Sequence, residues 1–283
     1  MSPSSNGKTT LRFPAFLRAV DFPKKMGICE MLWAKRLESH GITDVMTGSG
    51  LVWKLDLRNG THRWMVYGLY DPAFLSWAKR FLPPDGVVVD SGANIGQTVM
   101  YLGQYVPEGR LLAFEPGGTQ ADWLERCVEQ NRARLRSVKV LRWGLGALRG
   151  SLFLKDTWGG ERFHGASSEI SRESGEPVRI ERLDDVLKEQ RVERLDLWKL
   201  DVEGYELPAL EGAGRWLKER KIRALYVELY RQEGDAYREN GRRIRRYLAQ
   251  CGYQCHIFTP WTRRLVVEKK ETDSANGVFL PSR

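Results

Sequence analysis

From Gly86 onward the chain alternates short apolar runs with longer stretches of helical period. Val87–Asp90, Leu111–Glu115, Val138–Leu141, Leu195–Asp201 and Leu225–Leu229 read as buried strands, and segments near 96–105, 119–135, 205–220 and 238–251 read as helices. Within 119–135, Leu124, Cys127, Val128 and Leu135 recur at helical spacing, as a helix lying on a sheet requires. Strands alternating with helices in this way predict an α/β fold, an open, mostly parallel sheet covered on both faces. Tyr253–Phe258, Arg264–Glu268 and Gly277–Leu280 follow one another without a helix, which predicts antiparallel pairing at the end of the chain.

The first 84 residues read differently. Residues 1–8 are polar and predict disorder, and a helical stretch follows from about Pro14 to His40. Leu51–Leu57 and His62–Tyr67 flank Asn59-Gly60, which predicts a β-hairpin. A helix carrying Phe74, Leu75, Trp77, Ala78, Phe81 and Leu82 ends at Pro83-Pro84-Asp85-Gly86. The expected organisation is an N-terminal helical and hairpin extension, 1–84, and a domain over 85–283.

Composition narrows the class only a little. Hydrophobic residues make up 42% and charged residues 29% of 283, an ordinary globular balance that excludes disorder as the dominant state. No apolar run approaches the ~20 residues that cross a bilayer, and the first residues lack a secretory apolar stretch, so the expectation is a soluble, cytoplasmic chain without a transmembrane segment. Cys29, Cys127, Cys251 and Cys255 contain no C-x-x-C pair, which argues against a zinc site or a disulfide scaffold. The net charge of +9 admits nucleic acid or acidic glycans as partners without naming a chemistry.

Candidate chemistry begins where the first strand meets its turn. Val89-Asp90-Ser91-Gly92-Ala93-Asn94-Ile95-Gly96 runs from a buried strand through glycines into a helix. The loop is D-x-G-x-N-x-G and lacks the G-x-G-x-x-G that seats a pyrophosphate, and the Asp90 carboxylate would repel one, which disfavours a nicotinamide oxidoreductase. Asp90 could accept from a ligand ammonium, while Glu115, ending the second strand, stands where a carboxylate receives ribose hydroxyls. A ribose diol with an amino-acid head group and no phosphate is S-adenosylmethionine; the competing reading is a tight turn that binds nothing.

These blocks resemble a family. Asp90-Ser91-Gly92-Ala93-Asn94-Ile95-Gly96, then Ala113-Phe114-Glu115-Pro116, then Lys199-Leu200-Asp201-Val202-Glu203-Gly204-Tyr205-Glu206 are similar to the signature blocks of FkbM-type methyltransferases, over about residues 65–280. The resemblance implies a class I, Rossmann-like S-adenosylmethionine-dependent methyltransferase with a seven-stranded sheet whose last strand is antiparallel, and usually O-methylation of a hydroxyl on a sugar, glycan or natural product. It carries cofactor binding onto Asp90, Gly92, Asn94, Gly96 and Glu115, with the adjoining Ala93 and Pro116 as further candidates. Arg142-Trp143-Gly144-Leu145-Gly146 departs from the small-residue and acidic stretch usual after the third strand. Trp143 is accordingly a candidate to stack on adenine or to pack, and the adenine contacts stay open.

Along Leu195–Glu203 the odd positions turn from apolar to charged as the strand reaches its carboxyl end, so Lys199, Asp201 and Glu203 share the face where ligands bind in this architecture. Methyl transfer to a hydroxyl needs an aligned oxygen and a proton acceptor. Asp201 is the first candidate base, also at the cofactor, and Glu203 the second; the competing reading makes Lys199 and the acids a structural ion pair. Asp201, Glu203 and Glu228 are the set a divalent Mg²⁺ or Mn²⁺ would use, a reading to which nothing commits. His164, in a Gly/Ser-rich segment, is a further candidate base, and His40, His62 and His256 read as structural. Arg242-Arg243-Ile244-Arg245-Arg246 resembles a nucleic-acid patch, yet Ile244, Tyr247, Leu248 and Cys251 give it one apolar face. RNA methylation and a noncatalytic binding module therefore stand as alternatives to a small-molecule or glycan acceptor.

Overall fold

The computed structural model describes residues 11–13, 24–47, 49–156, 168–171, 173–229, 235–259, 262–272 and 274–282. His164, with most of its Gly/Ser-rich segment, lies outside the described residues, as do residues 1–8 and the start of the expected first helix.

The main sheet has eight strands. β4 (Val87–Ser91) pairs in parallel with β5 (Arg110–Phe114) on one side and β11 (Leu197–Leu200) on the other; β6 (Val138–Leu141) extends β5 and β12 (Leu225–Glu228) extends β11, all parallel. Beyond β12, β15 (Asn276–Pro281) inserts antiparallel between it and β13 (Tyr253–Phe258), and β14 (Leu265–Val267) adds an antiparallel edge. The expected seven strands with an antiparallel last strand are present, and β14 is the eighth. Because helices cover both faces, the central strands are apolar on both sides: Leu197, Trp198 and Leu200 are buried along with Val88, Val89, Leu111 and Leu112.

Helices α4 (Val99–Tyr105), α5 (Gly118–Gln130), α6 (Leu183–Glu189), α7 (Glu206–Glu211), α8 (Gly214–Lys218) and α9 (Asp235–Gln250) pack on this sheet. The helix expected over 205–220 is two short helices, and Asp184 accepts the Arg215 and Trp216 N–H groups at 3.1 and 3.2 Å where the second begins. α9 buries Ile244 and Leu248 and exposes Arg242, Arg243 and Arg246; Arg242 pairs with Glu271 at 3.2 Å, and the largely buried Arg245 with Glu268 at 2.9 Å. A second sheet, β7 (Gly144–Leu145), β10 (Glu176–Glu181), β8 (Gly150–Asp156) and β9 (Ser168–Ser171), stands beyond β6.

The extension folds as β1 (Leu11–Arg12), β2 (Ile42–Met46) and β3 (Val52–Asp56) with α1 (Lys25–Glu38), α2 (Gly60–Tyr67) and α3 (Pro72–Phe81). Its hairpin is not where Asn59-Gly60 predicted. β2 and β3 form it, while Asn59 begins α2, its Oδ1 accepting the backbone N–H of Thr61 at 2.9 Å and of His62 at 3.3 Å. An Asn side chain serves an N-cap as well as a turn, and the run after it has the helical spacing that buries Met65 and Val66. Trp53, Tyr67 and Phe74 of the extension share one core with Val99, Met100 and Leu124. Asn131 fastens it further, accepting Val52 N–H at 2.8 Å and donating to the Val52 carbonyl at 2.6 Å.

Candidate active site

At the carboxyl end of β4 the chain turns through Gly92, whose φ of 74° and absent Cβ let the end of β11 pass beside it. A Cβ there would lie 1.7 Å from the Asp201 carbonyl oxygen. The Gly92 and Ala93 N–H groups donate to the Phe114 carbonyl at 3.1 and 3.0 Å, and Asn94, at φ 48°, donates its N–H to Glu115 Oε2 at 2.8 Å. Glu115 Oε1 accepts the Gly117 N–H at 2.9 Å. The loop is thus laced to the end of β5, with the Glu115 carboxyl between the two turns. Burial pushes that carboxyl up to about 7, against the two N–H donors that favour its charge.

Asp90 and Lys199 lie in adjacent parallel strands at matching register. Lys199 Nζ stands 3.4 Å from Asp90 Oδ1 and 3.2 Å from Asp201 Oδ2, and it donates to the Gly92 carbonyl at 3.4 Å. Burial works against the ammonium, but Asp201 and then Asp90 outweigh it and hold its pKa well above the ordinary lysine value. Thr98 Oγ1 donates to Asp90 Oδ2. Asp90 is fully buried, and burial raises its carboxyl above the usual range despite Lys199 and Thr98. It lies behind the loop and outside the cavity wall, whereas Asp201 and Glu203 are part of that wall.

The cavity spans about 810 Å³ of space, including its open mouth. Phe114, Trp143, Leu145, Leu154 and Ile170 give its wall an apolar part, and Ser91, Asp201, Glu203, Tyr70, Glu115 and Asn94 a polar one. Pro116 and Gly92 also line it, and Gly96 shapes the loop from φ 97°. Trp143 carries the Arg179 guanidinium 4.3 Å above its ring, so one face is occupied by protein. Glu203, at φ 58°, precedes Gly204 at φ 95°, and Glu206 holds this bend by accepting the Val202 and Gly204 N–H groups, each at 3.0 Å. Burial, and then the charges of Asp201, Glu203 and Glu206, push the carboxyl of Glu228, which ends β12, well above the usual carboxylate range. Among the described residues no group of three or more His, Cys, Asp or Glu side chains is arranged to hold a metal ion.

Tyr70, from the extension, is a wall residue that escaped the sequence reading, and burial raises its hydroxyl pKa in a field shared by Lys199 and Asp201. Beside it, Tyr226 of β12 donates to Asp71 Oδ2 at 2.6 Å and stacks on Phe74 at 3.9 Å, fixing the entry to α3 against the main sheet. The one local signal was Asp71-Pro72 opening a helix, which says where a helix starts and nothing about which cavity its neighbour faces.

A glycine loop and a strand-end acid at the carboxyl edge of a parallel sheet with an inserted antiparallel strand define a class I methyltransferase fold. A family model described as the methyltransferase FkbM domain matches residues 90–255. The chain belongs to this family of S-adenosylmethionine-dependent methyltransferases. Methyltransferase sdnD of Sordaria araneosa is 34% identical over 184 residues, 54% of this chain and 70% of that protein. Methyltransferase 1 of Beauveria bassiana is 29% identical over 149 residues, 46% of this chain and 59% of the relative, and the AMB antimetabolite synthetase AmbE of Pseudomonas aeruginosa is 28% identical over 213 residues, 62% of this chain and 10% of that protein. Among solved structures, a methyltransferase FkbM from Methylobacillus flagellatus superposes with a TM-score of 0.48 at 15% identity, covering 93% of this chain and 62% of the other. No helix of the described residues is long and apolar enough to cross a membrane.

Proposed function

We propose that the protein O-methylates a hydroxyl of a small natural-product or glycan acceptor. The observation that carries this reading is the Asp201 carboxylate on the cavity wall, 3.2 Å from buried Lys199 and on the same wall as Glu115. The donor set of the cavity fits S-adenosylmethionine: Glu115 for the ribose diol, apolar side chains such as Leu145 and Ile170 for adenine, and the Asp201 and Glu203 carboxylates for a sulfonium and an ammonium. When bound, the cofactor supplies an electrophilic methyl group on a sulfonium.

The residues then divide the work. Glu115 holds the ribose, the glycine loop lets the backbone approach, and Asp90 positions Lys199 and the helix entrance at Thr98 without touching the ligand. Asp201 accepts the proton of the acceptor hydroxyl as that oxygen attacks in line, and Lys199, 3.2 Å away, positions its carboxylate. Glu203 and Tyr70 hydrogen-bond the acceptor around the same oxygen, and the extension caps the acceptor site through Tyr70. A polyphosphate acceptor is disfavoured because the described wall offers carboxylates and no Lys, Arg or His side chain. The 28% identity to an antimetabolite synthetase supports a natural-product acceptor.

The test is calorimetric titration with S-adenosylmethionine and S-adenosylhomocysteine, followed by a turnover screen over hydroxylated natural products, sugars and RNA. Asp201→Asn is expected to leave cofactor affinity within about threefold and to lower turnover at least a hundredfold, the usual scale of general-base loss. Equal loss of both, or methyl found on nitrogen or carbon, overturns the assignment.

A further inference from the structure

Helix α1 is apolar on two sides. Its inner side buries Cys29 and Leu37 and sets Trp33 edge-on against Phe13. On the outer side Ile28, Met31 and Leu32 are 37%, 77% and 56% exposed, and Met26 in the first turn is 45% exposed. Ile28, Met31, Leu32 and Lys35 fall at i, i+3, i+4 and i+7, so they form one stripe, continued at its ends by Lys24 and Arg36. An exposed stripe of this kind on a surface helix calls for an explanation, since a helix apolar all round is ordinarily buried.

The charges around the stripe are sorted. The two acids of the helix, Glu30 and Glu38, turn to the buried Arg63 guanidinium at 2.9 and 3.1 Å. Lys24, Lys35 and Arg36 are exposed, and none pairs with a carboxylate among the described residues. Among the described residues the outer face therefore presents apolar side chains with three unpaired cations, and the side chain of the acid at its edge, Glu38, is 41% exposed but engaged by Arg63. We propose that this face of α1 is a docking surface for an anionic lipid bilayer, on which the helix lies in the plane of the headgroups with Ile28, Met31 and Leu32 inserted and Lys24, Lys35 and Arg36 against the phosphates.

A second copy of the chain fits this face poorly. Fourteen residues make a helix about 21 Å long, and one face of it offers about 200 Å² where a stable pair needs about 800 Å² from each partner. Pairing α1 with itself, in either direction, brings Lys24, Lys35 and Arg36 against cations of the copy. A lipid surface has neither difficulty: it accepts a single amphipathic helix, and its negative charge complements all three side chains.

The experiment is vesicle co-sedimentation of the full chain. Phosphatidylcholine vesicles containing about a third phosphatidylglycerol should pellet the protein, while pure phosphatidylcholine vesicles should not, and raising salt from about 0.1 to about 0.5 M should release most of it. Met31→Asp with Leu32→Asp should lower the vesicle affinity about tenfold or more. Val266→Asp with Val267→Asp makes the same charge change at another exposed apolar pair and should lower it less than threefold. Calorimetry with S-adenosylhomocysteine checks that both variants are folded. Equal binding to both vesicle types, an equal loss in the two variants, or no sedimentation at all overturns the proposal. So does a dimer in sedimentation velocity that Met31→Asp with Leu32→Asp dissociates, because the face would then belong to a second copy.

Discussion

Lys199→Met tests the electrostatic arrangement beneath the glycine loop. The substitution removes the ammonium that stands 3.4 Å from Asp90 and 3.2 Å from Asp201 and leaves a side chain of similar length. At an effective dielectric constant of about 20, each contact corresponds to about 5 kcal/mol of gross attraction, much of it offset by the cost of taking the groups out of water. Deleting one member of such a set leaves a buried charge uncompensated and costs about 3–5 kcal/mol. The loss falls mainly on Asp90, which is fully buried, because Asp201 retains contact with solvent. Burial already raises the Asp90 carboxyl, and without the cation it rises further. A carboxyl whose pKa is higher in the folded than in the unfolded chain makes the folded state bind more protons as pH falls, so the deficit is largest above the folded pKa and shrinks as pH drops through it. Urea denaturation followed by tryptophan fluorescence at about pH 5.5 and about pH 8 should show the variant's deficit relative to wild type narrowing at the lower pH. Adding Asp90→Asn, which keeps an acceptor for Thr98 and removes the stranded charge, should recover at least half of the loss at pH 8. A deficit below about 1 kcal/mol, one equal at both pH values, or one that Asp90→Asn does not relieve would refute the reasoning.

Three further outcomes follow from the geometry. Because burial raises the Glu115 carboxyl to about 7 and the ionised form is the one that would accept from a ribose diol, affinity for S-adenosylhomocysteine should rise about tenfold from pH 6 to pH 8, and Glu115→Gln should abolish that slope in calorimetry. Gly92→Ala, with its Cβ 1.7 Å from a backbone carbonyl, should prevent stable folding by circular dichroism, whereas Gly204→Ala, whose Cβ meets nothing within 4 Å, should cost only about 1–3 kcal/mol of backbone strain. Asn59→Ala should lower stability by about 1 kcal/mol in denaturant melts through the loss of the α2 cap; no change would return Asn59 to a turn role.

How far the sequence could be read depended on how local each signal was. Val87–Asp90, Leu111–Phe114 and the glycines between strand and helix are contiguous patterns, and both the mostly parallel sheet and the placing of Glu115 at a strand end follow from them. Asn59 shows where a local signal is ambiguous: the side chain that favours a tight turn also caps a helix, and the choice was made by burial of Met65 and Val66 against the rest of the extension. Tyr70 was illegible because its place on the cavity wall depends on Tyr226, far along the chain, holding Asp71.

Asp90 is the instructive intermediate case. Its position at the end of a strand before a glycine turn suggested direct contact with a ligand ammonium, yet the side chain points behind the loop to Thr98 and Lys199 and never reaches the cavity wall. Spacing along a strand tells which residues arrive at the carboxyl edge of a sheet. It does not tell which of two neighbouring carboxylates takes the inner side of a shared lysine. Here the parallel register of β4 and β11 decides, since it sets Lys199 beside Asp90 and carries Asp201 one step past it, out to the cavity. The acid nearest the glycine loop in sequence is thus held beneath the site, and the acid two residues beyond the lysine lines the cavity.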